Sequence, residues 1–289
     1  MAFPQHTETL KLLFVLYFRI LKAPSWSPLL PAALQGLSRY AHMVNIDFFK
    51  DLMQVLKDLL ARVPDNDKTQ QSRHVEATEH PLGNQHIRHQ LLCIVTAFEL
   101  LSGQGGTPNL LALPSNEFIY RNIGEALNID LRDFVNHLYG LILPISLEPD
   151  IESIGPSTEG SAMLQHTTAD LLFRALMHVF PVRSSKISSP VRTAAFAKRI
   201  LVASLTLPTA ITLRALEFVQ GLLVSEPKLQ TLLTTEDRTA DGFYRPELDD
   251  PQLSNPFGTS LWELTHLAET HWDHRVKERA RQLAQFNAI

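Results

Sequence analysis

The chain has 289 residues, 45% of them hydrophobic and 19% charged, with a net charge of −4 and a single cysteine, Cys93. A chain of this size buries roughly 75% of its unfolded surface and folds without disulfides or metal, and one cysteine excludes both an internal disulfide framework and a four-cysteine zinc site. Slight acidity argues against a general coat for nucleic-acid phosphate, and the longest purely apolar run, Leu12 to Phe18, falls short of the roughly 20 residues that cross a bilayer.

Apolar residues recur at intervals of three and four from end to end, with no alternating run bounded by hairpin dipeptides. The 47 leucines add to the helical lean. Helices are predicted over 7–22, 28–43, 46–63, 86–102, 131–143, 168–180, 190–205, 208–225, 228–234, 260–271 and 274–286. The first region lacks a basic leader and a small-residue cleavage site, so secretion is not expected. The third helix has the clearest stripe: Phe48, Phe49, Leu52, Met53, Leu56, Leu59, Leu60 and Val63 oppose Lys50, Asp51, Gln54, Lys57, Asp58 and Arg62. Asn45, Asp130, Thr168 and Ser189 are candidate N-caps, the last with Pro190 at the first helical position. The helix at 208–225 is apolar around much of its girth, as expected of a helix packed on both sides. The fold class expected is all-α, an irregular helical-repeat stack of HEAT or armadillo type with about ten or eleven helices in one domain over 1–289; a compact helical bundle is the alternative.

Four connections exceed the length usual for passive loops. Those at 64–85 and 144–167 are polar or rich in proline, serine and acids, and together with 103–127 they are read as flexible insertions. The fourth, 235–259, interleaves Phe243, Tyr244, Leu248, Leu253 and Phe257 among acids and prolines, and is expected to be an ordered strap anchored by those side chains.

A search for catalytic devices finds little. There is no GxxxxGK[ST] loop and no GxSxG elbow, and the glycines from Gly103 to Gly106 follow a helix, where they serve as a stop. His86 with His89, and His271 with His274, have i,i+3 spacing but no third ligand nearby. Cys93 lies in an apolar helical stretch and reads as a small hydrophobe. No catalytic, cofactor or metal residue is assigned. The acidic cluster of Glu236, Asp237, Asp241, Glu247, Asp249 and Asp250 reads as helix caps and partners of Arg238 and Arg245, with a basic partner or a divalent cation as alternatives. Arg275, Lys277, Arg279 and Arg281 make a small basic face on the last helix, read as solvated, with RNA phosphate the weaker reading. The candidate anchoring or partner-binding residues are Tyr244, Asp249, Asp250, Asn255, Phe257 and Trp262. Trp262 and Phe257 are expected to be buried and to pin the strap, at a cost of roughly 3–5 kcal/mol for Trp262→Ala.

Five blocks taken together resemble one family. LYFRILK from Leu16, LLPAALQGLSRYAHMVNIDFFKDLMQVL from Leu29, LLCIVTAFELLSGQG from Leu91, RTAAFAKRILVASL from Arg192 and TEDRTADGFYRPELDDPQLSNPFGTSLWEL from Thr235 look like the carboxyl-terminal half of a nucleolar member of the CCAAT-binding-factor family. That resemblance implies a non-catalytic α-helical scaffold of the nucleus and nucleolus that works in large (60S) ribosomal subunit assembly and pre-ribosome maturation. Its implied partners are nucleolar complex protein 2 and pre-60S assembly factors, with no cofactor, and a secondary link to initiation of DNA replication. The family's basic first half would be missing here. In the family GQG runs directly into EALNIDL, whereas 19 residues, Gly106 to Gly124, intervene in this chain and read as a retained intron. The competing readings are a helical metal-dependent hydrolase, built on the histidines and the acidic cluster, and a generic helical adaptor outside the nucleolus.

Overall fold

The computed structural model describes residues 4–23, 27–40, 46–62, 81–103, 131–153, 166–181, 189–234 and 242–286. Among them are ten α-helices and no β-strand: α1 (Pro4–Leu21), α2 (Leu30–Arg39), α3 (Ile46–Leu60), α4 (Pro81–Gly103), α5 (Arg132–Ser146), α6 (Thr168–Val179), α7 (Pro190–Ala203), α8 (Thr209–Ser225), α9 (Trp262–Thr270) and α10 (His274–Ala284). The all-α expectation holds. The helix predicted at 228–234 is instead a 3-10 helix, Pro227–Leu232. Its Leu229 N–H donates to the Glu226 carbonyl and the Leu233 N–H to Gln230, both at 3.0 Å, the i to i+3 pattern of a segment too short to nucleate an α-helix.

Contacts divide the chain into two compact units, Met1–Phe134 with Asp150–His178, and Val135–Pro149 with Val179–Ile289. In the first, α4 is the central element and packs on α2 and α3, while α1 packs on α2 and α3. Every α4 side chain from Leu91 to Phe98 is buried, Cys93 included. A helix enclosed on all sides needs few charges, and here they sit at its margins: Glu99 accepts from Ser38 of α2 and pairs with Arg174 of α6. The α1–α3 contact is aromatic, with the Phe14 and Phe18 rings 5.5 and 4.4 Å from that of Phe48. Gly36 on α2 lets the Tyr17 ring lie against its backbone, where a Cβ would collide with the phenol.

In the second unit α8 packs on α7 and α10, as its two apolar sides predicted, and α10 also packs on α9. Rings of Tyr139, Phe180 and Phe196 stack into the core at 5.0–5.1 Å. Pro190 stands in the first turn of α7 with Ser189 as N-cap, as the sequence predicts, although the serine side chain makes no cap bond. The cap of α6 is Thr167, not Thr168: its hydroxyl accepts from the Asp170 N–H at 3.1 Å and the Asp170 carboxylate accepts from the Thr167 N–H at 3.2 Å. Asn45 and Asp130 lie outside the described residues.

Of the stretches read as flexible insertions, residues 81–85 belong to α4 and residues 144–146 finish α5. Ile151 is buried, and its carbonyl accepts from the Ala169 N–H at 3.2 Å, so residues 150–153 are a packed turn. Gly103 ends α4, the stop its glycines suggested. The remainder of those stretches, with the 106–124 segment, lies outside the described residues.

Candidate interaction surface on the ordered strap

Residues 242–259 follow no regular helix or strand, apart from a 3-10 turn at Pro256–Gly258. Their path depends on two backbone conformations, Gly242 at φ 103° and Asn255 at φ 48°, the left-handed region that glycine and asparagine tolerate best. The two arms meet where the Arg245 N–H donates to the Ser254 carbonyl at 2.8 Å. They also approach closely at Gly258, where a Cβ would lie 2.8 Å from the Gly242 carbonyl oxygen.

An irregular segment leaves carbonyls that no helix satisfies, and buried carbonyls need donors. Two adjacent cations of α7 supply them. The Arg199 guanidinium, buried to 2% exposure, donates to the carbonyls of Pro246 (2.7 Å), Leu248 (2.8 Å) and Tyr139 (3.1 Å) and to the Asp249 carboxylate (3.0 Å). Its carbon lies 3.7 Å from the Tyr139 ring centre, a stacked cation–π contact. Gly140 on α5 leaves room for this, since a Cβ there would already touch Asp249. Lys198 donates to the Ser260 carbonyl at 2.5 Å, and both Glu263 oxygens stand 2.8 Å from its ammonium. Lys198 and Glu263 are both fully buried. Burial pushes the lysine down and the glutamate up, and the opposite charge of each works against that shift. The rings of Trp262 and Tyr244 lie 5.2 and 5.7 Å from the Lys198 ammonium.

The expected anchors therefore need correcting. Phe243 is 90% exposed, Leu253 64% and Trp262 49%, while Tyr244, Leu248 and Phe257 are half-buried. Backbone carbonyls and Asp249 hold the strap, with Tyr244, Leu248 and Phe257 partly covered; Phe243 and Leu253 do not hold it. Trp262 faces outward because Glu263, Leu264, Leu267 and Ala268 form the inner face of α9, and Glu263 takes the inward position opposite Lys198. Burial pushes the Tyr244 hydroxyl well above its ordinary value. Asn255 supplies the left-handed residue, and its side-chain amide reaches the Phe243 carbonyl at 3.5 Å. The carboxylates cap no helix among the described residues: Asp249 pairs with Arg199 rather than a local arginine, and Asp250 accepts from the Gln252 N–H at 2.9 Å, closing a turn. Glu236, Asp237, Asp241 and Arg238 lie outside the described residues. Lys198, Arg199, Glu263 and Tyr139 were not singled out from the sequence. The available signal was a Lys-Arg pair set between Phe196-Ala197 and Ile200-Leu201, charges placed where helical period demands a buried face.

Elsewhere the candidate chemistry is absorbed locally. Burial pushes His89 down to about 4, with His86 and Arg88 adding to the effect, and the Cys93 thiol is pushed up to about 12. His271 accepts from the Asp273 N–H at 3.0 Å, and His274 is exposed. Among the described residues no three of His, Cys, Asp and Glu come together as a metal site requires. Asp273 caps α10 and pairs with Arg275 at 2.9 Å, Arg281 pairs with Glu278 at 3.3 Å, and Arg279 donates to Gln220, so three of the four basic residues on that face are engaged. A shallow groove of about 440 Å³ lined by Glu269, Lys277 and Arg281 opens widely to solvent.

Comparison with known proteins covers this whole region. The family model described as the CBF/Mak21 family matches residues 90–280, 191 of the 289. Nucleolar complex-associated protein 3 of Schizosaccharomyces pombe is 32% identical over 98% of this chain and 35% of its own length. The nucleolar complex protein 3 homolog of Homo sapiens is 31% identical over 96% of this chain and 28% of its own length, and the Saccharomyces cerevisiae relative 30% over 96% and 38%. The chain thus spans about a third of the length of the curated relatives it matches, and their names place those proteins in the nucleolus. Because that family model covers about two thirds of it, the chain belongs to the CBF/Mak21 family.

Proposed function

We propose that this chain is a non-catalytic helical scaffold that works in the nucleolus in large (60S) ribosomal subunit assembly, in a complex with nucleolar complex protein 2 and pre-60S assembly factors. The observation that carries this reading is the match of 96–98% of the chain to proteins of yeasts and animals that are all named for a nucleolar complex. The physical build is in keeping with it. The described chain is built of helices, and α7 turns its two buried cations onto carbonyls of an irregular segment. Affinity purification of the full-length protein, with mass spectrometry of what it brings down, tests the complex. Depletion with measurement of ribosomal RNA precursors tests the role. Nucleolar complex protein 2 and large-subunit assembly factors should co-purify, and large-subunit precursors should accumulate while small-subunit precursors do not. Recovery without any assembly factor, together with unchanged precursors on depletion, would overturn the proposal.

A further inference from the structure

The strap combines two features that the scaffold reading does not use. Its backbone is fixed by Arg199, by the left-handed Gly242 and Asn255 and by the close approach at Gly258, yet Phe243 and Leu253 project from it into solvent and Trp262 stands beside it with half its surface free. Single exposed apolar residues are ordinary on mobile loops. Large ones held out from a pinned backbone have already lost the entropy that binding would otherwise remove.

Charge says what would cover them. Residues 235–259 hold six acids and two arginines, a net of −4, which is the net charge of the entire chain; the other residues sum to zero. Within the described part, Glu247 is exposed, and the Asp249 side chain is 77% exposed even while paired with Arg199. Of the two buried cations beneath the strap, Arg199 pairs with Asp249 alone among the described acids and otherwise donates to carbonyls, and Lys198 is turned onto Glu263, which leaves Arg245 as the exposed cation of the described strap. Nucleic acid is repelled by this sign, and a second copy meeting strap to strap would bring like charges together.

We propose that the outer surface of the strap, with Phe243, Leu253 and Trp262 as its apolar groups and Glu247 and Asp249 as its charged rim, docks a lysine- and arginine-rich segment of a partner protein. This rests on the scaffold reading and names the chemistry of one partner. Aliphatic parts of the segment would cover Phe243 and Leu253, and its cations would meet the rim carboxylates and the free face of Trp262.

The test is a photo-crosslinking benzophenone side chain placed at position 243 or 253 of the full-length protein in cells, with Leu147, another exposed leucine, as the control position. Crosslinked peptides are identified by mass spectrometry. Positions 243 and 253 should both capture one lysine- and arginine-rich segment that position 147 does not, and Glu247→Lys should lower that yield at least about fivefold, as rim charge reversal does. Capture of RNA, of a second copy or of an acidic segment, equal capture at 147, or no capture would overturn the proposal. Co-purifying assembly factors in the same cells show whether the scaffold reading survives that failure; their absence would count against both.

Discussion

The two units solve the problem of buried polar groups in different proportions. In the first, the enclosed element is a regular helix, α4, whose backbone satisfies itself, so its middle is lined by apolar side chains and neutral imidazoles, and the buried Arg88 sits nearer its start, donating to the His166 carbonyl at 2.6 Å; His178 stacks on Phe98 at 6.0 Å, and burial followed by Arg174 pushes its ring down to about 4. In the second, the element to be held is an irregular strap whose carbonyls have no partners of their own, and charge is buried to supply them. A guanidinium offers five N–H donors in a fixed plane, which suits three carbonyls and a carboxylate gathered from α5 and the strap. Regular backbone permits an apolar interior, whereas irregular backbone demands donors there.

Breaking the cationic solution should therefore cost most. Arg199→Met keeps the stem but strands the Pro246 and Leu248 carbonyls and frees Asp249; the loss should be ~3–5 kcal/mol. Hydrogen exchange should rise first at the Arg245 amide, which bridges the two arms. Glu263→Gln leaves the Lys198 ammonium enclosed without its counter-charge, and urea unfolding should show a loss of about 3 kcal/mol or more. Restoring neutrality with Lys198→Met in the Glu263→Leu background should recover most of it, because well-packed apolar replacements for a buried pair are often neutral. In the first unit, Lys57→Ala removes a pair to Asp133 whose aspartate is 63% exposed and should cost under ~1 kcal/mol.

The same contrast explains what was legible in the sequence. Helical period located every described helix, because amphipathic stripes such as Phe49, Leu52, Met53 and Leu56 state directly which face is buried. The irregular course of residues 242–259 was legible too, from length and proline content. Its mode of attachment was not, for two reasons. Aromatics among acids look like anchors whether they face in or out, and the true anchors are backbone carbonyls, which every residue carries and which no sequence pattern distinguishes. Glu263 was hidden in the same way: nothing local marks a glutamate in WEL as the partner of a lysine 65 positions away.

Acid should sharpen the comparison from the side of the first unit. His89 and His178 both sit at about 4, against an ordinary value near 6.5. The unfolded chain therefore binds their protons at a higher pH than the folded chain does, so their contribution is complete above about pH 6.5 and is lost as pH falls toward 4. Each imidazole accounts for at most about 3 kcal/mol. Protection of α4 and α6 amides should fall across that window, and His89→Gln with His178→Phe should flatten the slope. Gly258→Ala probes the second unit at a smaller scale. Its methyl meets the Gly242 carbonyl, a backbone atom that cannot swing aside, and the strap should lose ~1–3 kcal/mol, visible as a lower Tm.

The smallest effect separates attachment from display. Were Trp262 the enclosed pin of the strap, its truncation would cost roughly 3–5 kcal/mol. With half its surface in solvent, and with the Lys198 ammonium 5.2 Å and the His266 ring 6.3 Å from its ring, Trp262→Ala should cost only ~1 kcal/mol, the worth of a cation–π contact and part of a ring's burial. Phe243→Ser, at 90% exposure, should be neutral within ~0.5 kcal/mol. Urea denaturation of both variants decides the matter, because a loss above ~3 kcal/mol for Trp262→Ala would make the tryptophan a pin after all. A small loss leaves Arg199 and Lys198 holding the strap from beneath, with the aromatic surface above them free for another molecule.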